Sequence, residues 1–351
     1  MSSEQRTSIF LTGATGYIGG SVLARLLNHP RASTFDIYAL LRSPEKAGIL
    51  KSKFGVTAVI GTHEELDKVH DLAEKAQIIF NCADADNEEM IKAILNGMKK
   101  RHNKTGEVPV LIHTSGTGVL TDNARGEYAR ETVYSDLNVE QIKSIPATAI
   151  HRNVDLRVID ADNNHFARCY IVIPSTIYGI ATHALVEAGV SNPHSDQIPA
   201  LIKAALARKR AGVVGQGKAL WRDVHIDDIA ELYMIVFDSY TEKPDKTGHG
   251  WEGFYFGENG EHSWYQISKA IGEALVELGI AKDAEPTTFT IEELVQYFGD
   301  EAKGWYSGTN SRCRSDRGRS IGWKPKYTTE DMLKSIKPEV EALMKQQGGK
   351  A

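Results

Sequence analysis

Residues 12–20 read TGATGYIGG, with Gly13, Gly16 and Gly19 in G-x-x-G-x-x-G spacing. The stretch joins an apolar run, SIFLTG, to IGGSVLARLLNHP, in which Ile18, Val22, Leu23, Leu26 and Leu27 share one helical face and Pro30 ends the pattern. A strand therefore turns sharply into a helix here. Glycine allows the tight turn, a close approach of backbone to ligand, and close packing of helix on sheet, because it has no Cβ. The helix begins with free N–H groups and the positive end of its dipole, which suits a pyrophosphate. Gly13, Thr15, Gly16, Tyr17, Ile18 and Gly19 are the candidate residues of a dinucleotide-binding loop.

Outward from this loop, strand-like and helix-like segments alternate. DIYALLR, VTAVIG, QIIFNCAD, VPVLIHTSG and RCYIVIPSTIYG read as strands two to six, and HEELDKVHDLAEKA and EEMIKAILNGMKKRH as helices between them. The alternation predicts an α/β fold: a doubly wound, Rossmann-type parallel sheet with helices on both faces. Past Gly179 the pattern loosens into helices, turns and a short strand, GFYFG. That predicts a smaller, mostly helical substrate-binding domain. Residues 1–180, rejoined by about 212–258, are assigned to the dinucleotide-binding domain; 181–211 and 259–351 are assigned to the substrate domain. Residues 120–150 are polar and irregular, and loops of that length are usually functional or mobile.

The totals narrow the function. With 41% hydrophobic and 25% charged residues over 351 positions, the chain has the composition of an ordinary globular protein. A net charge of -5 gives no pull towards nucleic acid or anionic lipid. No apolar run reaches the roughly 20 residues of a membrane helix, and MSSEQRTS does not read as a secretory signal. Cys82, Cys169 and Cys313 are odd in number and far apart, which predicts reduced thiols and a cytoplasmic protein. No HExxH or Cys/His cluster suggests a metal site. The expected partner is a small-molecule substrate, with a homodimer as the assembly.

The end of the second strand selects the cofactor. NAD enzymes place Asp or Glu there for the ribose 2′-hydroxyl. Here the strand ends ALLRSPEK, with Leu41 at that position and Arg42 next. A guanidinium suits a 2′-phosphate, so NADP (NADPH) is expected.

At this point the chain resembles the extended short-chain dehydrogenase/reductases, the NAD-dependent epimerase/dehydratase-like branch. TGATGYIGG matches the family's glycine motif. IIFNCAD is similar to the fourth strand, whose end, at Cys82 and Ala83, lines the cofactor. LIHTSGTG resembles the fifth strand, which carries the family's active-site Ser at Ser115. IPSTIYG resembles the segment beside the nicotinamide, here with Pro174, Ile177 and Tyr178. WRDVHIDDIAELY and SIGWKP resemble later signatures of the family.

The departure from the family concerns catalysis. The family carries a Tyr and a Lys four apart on the helix before the sixth strand. That position falls on HRNVD, so His151 replaces the Tyr and Asp155 the Lys; a second alignment places Tyr134 there, with Asn138 for the Lys. On a helix His151 and Asp155 would share a face. His exchanges protons near neutrality, and a carboxylate can hold ribose hydroxyls. The expected arrangement is Asp155 on the nicotinamide ribose, Ser115 on a substrate oxygen, and His151, Tyr134 or Tyr178 as proton donor. Arg222 resembles the arginine that contacts the diphosphate in sugar-nucleotide enzymes. The resemblance implies an NADPH-dependent reductase of a small carbonyl-type substrate. A non-catalytic NADP-binding sensor resembling NmrA-type regulators and a sugar-nucleotide epimerase or dehydratase are the alternatives.

Overall fold

The computed structural model describes residues 6–348. Its strands are β1 (Thr7–Thr12), β2 (Phe35–Leu41), β3 (Thr57–Ile60), β4 (Ile78–Asn81), β5 (Val110–Thr114), β6 (Tyr134–Ser135), β7 (Arg168–Pro174), β8 (Thr176–Tyr178), β9 (Gly212–Val213), β10 (Leu220–His225), β11 (Phe254–Gly257), β12 (Glu261–Ser263), β13 (Thr287–Thr288) and β14 (Cys313–Arg314). Seven of them form one parallel sheet in the order β11-β7-β5-β4-β1-β2-β3. The order reverses at β1 and β4, so a crevice opens above their carboxyl ends, where the glycine loop lies.

The sheet is covered on both faces, which is why β4 and β5 are buried along their whole length. Side chains alternate between the two layers. Ile9 and Leu11 pack into one core with Phe80, Val172 and Phe237; Phe10 packs into the other with Ile79, Leu111, Ile94 and Val158. A third core, around Trp221, Trp264, Leu201, Ile271 and Ile336, belongs to the smaller, mainly helical part. The α/β doubly wound fold with a smaller helical part is therefore observed.

Two details differ from the sequence reading. RCYIVIPSTIYG is two strands, not one. β7 ends at Pro174, which has no N–H to continue a ladder. Ser175 then turns its N–H and hydroxyl onto the Gly257 carbonyl at 3.0 and 2.7 Å, and β8 leaves the sheet to pair with β10. The short strand GFYFG is the seventh member of the central sheet, parallel to β7. Between residues 120 and 150, β6 pairs with β14. Buried Asp136 stitches this segment down by accepting the N–H groups of Phe256, Asp316 and Arg317 at 3.1, 2.9 and 2.8 Å.

Candidate functional site

The glycine loop is built as its spacing predicts. Gly13 has φ of 76°, and a Cβ there would lie 2.6 Å from the Cys82 carbonyl oxygen. A Cβ on Gly19 would collide with the Gly13 carbonyl. The helix Tyr17–Leu27 starts at Gly16 with no side-chain cap and no acidic residue in its first turn. Its leading N–H groups and dipole are left to an anionic ligand. The Tyr17 hydroxyl donates to the Tyr178 carbonyl at 3.1 Å, and the Thr15 carbonyl accepts the Asn192 N–H at 3.0 Å. These bonds fasten the loop to β8 and to the segment that follows.

A cleft of about 480 Å³ opens beside the loop. Its lining includes Gly16, Tyr17, Ile18, Cys82, Ala83, Pro174 and Ile177, together with Gly116, Thr117, Gly118, Gln197, Trp221 and Tyr306. Burial pushes the Cys82 thiol up to about 12, so it lines the cleft as a neutral group. Arg42 lies exposed just past the end of β2, and no hydrogen bond or ion pair of its side chain is formed among the described residues.

His151 does not itself line this cleft but packs against Gly116 and Gly118, which do. It is the residue before the helix Arg152–Asn163 and has φ of 67°, the left-handed region that costs a non-glycine residue about 1–2 kcal/mol. Strain of this kind collects at functional positions. Its Nδ1 is 2.7 Å from Oδ1 of Asp86, in the loop after β4. Its Nε2 points at the glycines after β5: a Cβ built on Gly116 or Gly118 would sit 3.1 Å from it. A Cβ on Gly118 would also lie 2.7 Å from the Tyr306 hydroxyl. An imidazole oriented by a carboxylate and a phenol thus meet at one wall of the cleft.

Asp155 does not face the cofactor cleft as expected. It is fully buried, and Ser115 donates its hydroxyl to Asp155 Oδ2 at 3.2 Å. Asp155 Oδ1 and His113 Nε2 face each other at 4.0 Å, neither with a hydrogen-bond partner. Burial works against both charges. It raises the Asp155 carboxyl to about 7, against the Ser115 hydrogen bond, and lowers the His113 imidazole to about 3. A buried relay lies behind the pair. The Cys82 N–H donates to Thr12 Oγ1 (3.1 Å), Thr12 donates to Asn81 Oδ1 (2.7 Å), and Asn81 Nδ2 meets His113 Nδ1 (3.0 Å). Because the Thr12 proton goes to Asn81 Oδ1, the amide can only donate to Nδ1, which leaves the His113 proton on Nε2, facing Asp155.

Three other expectations need correction. Tyr178 is buried, its hydroxyl donates to the Thr328 carbonyl at 2.8 Å, and it does not line the cleft. Ser115 is committed to Asp155, so its hydroxyl is not presented to a substrate. Tyr134 lies on β6 against β14 and is likewise absent from the cleft lining. Two residues the sequence reading missed do line it. Thr117 has a buried Oγ1 without a hydrogen-bond partner; its hydroxyl follows Ser115 by two positions and was legible in TSGTG. Tyr306 comes from the C-terminal segment, and no local motif marks it. Outside this site, His70, Asp71 and Glu74 gather on one helix, but Glu74 is taken by Lys100 at 2.7 Å and His70 by Asp71 at 3.1 Å.

Comparisons with known proteins agree with the fold and the loop. Residues 13–157 match a family model described as NAD(P)H-binding. The chain is 29% identical over 334 residues to oxidase ucsJ of Acremonium sp., covering 90% of this chain and 92% of that one. Two solved structures share its fold. UDP-glucose 4-epimerase from Thermotoga maritima, solved with UDP-glucose, has a TM-score of 0.64 at 15% identity and covers 97% of this chain and 100% of its own. dTDP-glucose 4,6-dehydratase from Bacillus anthracis, solved with NAD, has a TM-score of 0.63 at 16% identity, covering 96% and 97%. The fold read from the sequence is thus shared with these structures, and residues 13–157 carry the match to an NAD(P)H-binding domain. Among the described residues no helix is long and apolar enough to cross a membrane.

Proposed function

We propose that this chain, which shares fold and dinucleotide-binding domain with the extended short-chain dehydrogenase/reductases, is an NADPH-dependent reductase of a small carbonyl-type or similarly polarised substrate. The observation that carries the reading is the Asp86–His151 pair, with Nδ1 held by the carboxylate and Nε2 turned to the cleft wall. The cofactor would lie over the tightly folded loop that Gly13 and Gly19 permit, since a Cβ at either would strike backbone. Gly16, Tyr17 and Ile18 would hold its pyrophosphate, Arg42 its 2′-phosphate, and Cys82, Ala83, Pro174 and Ile177 its nicotinamide end. When bound, NADPH supplies a hydride to the carbonyl carbon.

His151 gives its Nε2 proton to the carbonyl oxygen, so that the carbonyl becomes an alcohol. Asp86 steadies the imidazolium and fixes the ring. It is 60% exposed, so the proton His151 loses is replaced from solvent. Thr117 and Tyr306 donate hydrogen bonds to the same oxygen, a role the Ser115 hydroxyl is not placed to fill. The family's Lys is not needed to tune a phenol when the acid is an imidazole, whose ordinary pKa is already near neutral.

The test is NADPH oxidation against a panel of ketones, aldehydes, enones and imines, with NADPH affinity measured alongside. Turnover lost in His151→Gln with NADPH affinity kept within a few-fold supports the reading. Tight NADPH binding with no oxidation of any panel member refutes it in favour of an NADP-binding sensor.

A further inference from the structure

We infer that the cleft selects an uncharged, ring-bearing carbonyl compound, seated on Trp221 and Tyr306, and rejects nucleoside diphosphate sugars. The inference rests on the reductase reading for the carbonyl, and on the substrate wall for the rest.

That wall has aromatic surface and no cation. Trp221 is 2% exposed and meets the Tyr306 ring edge-on at 5.2 Å. Its Nε1 donates to the Thr309 carbonyl at 2.7 Å, away from the cleft, so it offers a substrate only its ring. Tyr306 is held at its ring by Trp221, while its hydroxyl is directed at Gly118 beside His151. An aromatic wall with one hydroxyl at the reacting end suits a ring whose carbonyl oxygen points at His151.

With the helix N-terminus at Gly16 given to the cofactor's pyrophosphate, a second diphosphate needs positive charge from side chains. No Lys or Arg lines the cleft, and its one ionisable acidic lining residue, Asp196, is repulsive to phosphate. The arginines beside Trp221 and in the C-terminal run are directed elsewhere. Arg222 follows Trp221 on β10, and successive strand residues point to opposite faces, so Trp221 in the cleft turns Arg222 out of it. There it lies opposite Glu261 on β12, at 3.3 Å. Arg312 closes on the same Glu261 at 2.7 and 2.9 Å. Arg314 is taken by Asp316, Arg317 by the Asp136 carbonyl, and Arg319 by Glu258. Arg125 lies over the Trp305 ring at 4.7 Å. The basic run SRCRSDRGR is therefore internal bracing, and a diphosphate placed beside the bound cofactor would meet one carboxylate and no counter-charge.

The experiment is calorimetric titration of the NADP⁺-saturated protein with acetophenone, 2-tetralone, UDP and UDP-glucose. At least one ring ketone is expected to bind, and UDP and UDP-glucose are not. Trp221→Leu should weaken the ketone at least about tenfold. Tyr306→Leu, at a less buried position, should do the same and guards against a folding defect in the first variant. Tighter binding of UDP or UDP-glucose than of either ketone, no ketone binding, or ketone affinity unchanged in Tyr306→Leu overturns the inference. NADPH oxidation is followed separately. A ketone that binds but is not reduced upholds the selectivity and removes the reductase reading; UDP-glucose binding with ketone reduction intact does the reverse.

Discussion

His151 Nδ1 lies 2.7 Å from Asp86 Oδ1, joining the loop after β4 to the residue that starts the helix Arg152–Asn163. This contact separates the fates of two residues that the sequence places together. His151 is held outside the helix by its left-handed backbone and by Asp86, and its Nε2 reaches the cleft wall. Asp155, within the helix, turns inward to Ser115 and His113. One position of the family's Tyr/Lys pair has become a candidate acid, and the other a buried strut under β5.

If His151 is the acid, His151→Gln should lower turnover about 10²–10⁴-fold, the usual cost of losing a positioned acid. Asp86→Asn should cost less, because the imidazole stays while its orientation and its stabilised charge are lost. Steady-state rates of both variants check this. Unchanged turnover in Asp86→Asn would show that the pair is structural only.

Arg42→Ala tests the choice of cofactor. Loss of a hydrogen bond to a phosphate should weaken NADPH roughly ten- to a hundredfold and leave NADH nearly unchanged. Fluorescence titration with both nucleotides is sufficient. Equal losses would mean that Arg42 does not read the 2′-phosphate.

The two phenols should part company. Tyr178→Phe removes a bond to the Thr328 carbonyl and is expected to cost about 1 kcal/mol of stability with turnover retained. Tyr306→Phe should leave stability within about 0.5 kcal/mol and lower turnover, because its hydroxyl faces the cleft. Urea unfolding and initial rates on the same preparations separate the cases, and the reverse pattern would return the site to Tyr178.

The glycine loop and the central strands were legible because glycine spacing and unbroken apolar runs are local signals. The site was legible only in part. Reading His151 and Asp155 as one face assumed that both lie within the helix. His151 is instead its boundary residue, so the i,i+4 rule does not fix its direction. The break at Pro174 and Ser175 was hidden because β7 and β8 are both apolar and β-branched. Tyr306 was invisible because the chain brings it from the far end to stand against Trp221. The same tertiary placement, not any local pattern, engages the arginines of the C-terminal run.

Asp155 should give stability a pH dependence opposite to that of a salt-bridged carboxylate. Its folded pKa is raised to about 7, against roughly 4 for an unfolded Asp. Between about pH 4 and 7 the folded chain keeps a proton that the unfolded chain has released. The stability from this group is therefore full below about pH 4, falls as pH rises to 7, and is level above that. His113 acts the other way. Its folded pKa is lowered to about 3, so the unfolded chain takes up a proton below about pH 6.5 and stability rises with pH from about 3 to 6.5. In the parent chain the two slopes oppose each other. Asp155→Asn keeps the shape and the Ser115 hydrogen bond but removes the titration, leaving the His113 slope alone. Variant stability minus parent stability should then climb from about pH 4.5 to 7, by at most about 1.4 kcal/mol per pH unit, and level off above 7. Urea unfolding at half-unit pH steps measures this. A difference that is flat or falls over that range would show that Asp155 is ionised throughout, with His113 protonated beside it as a true ion pair.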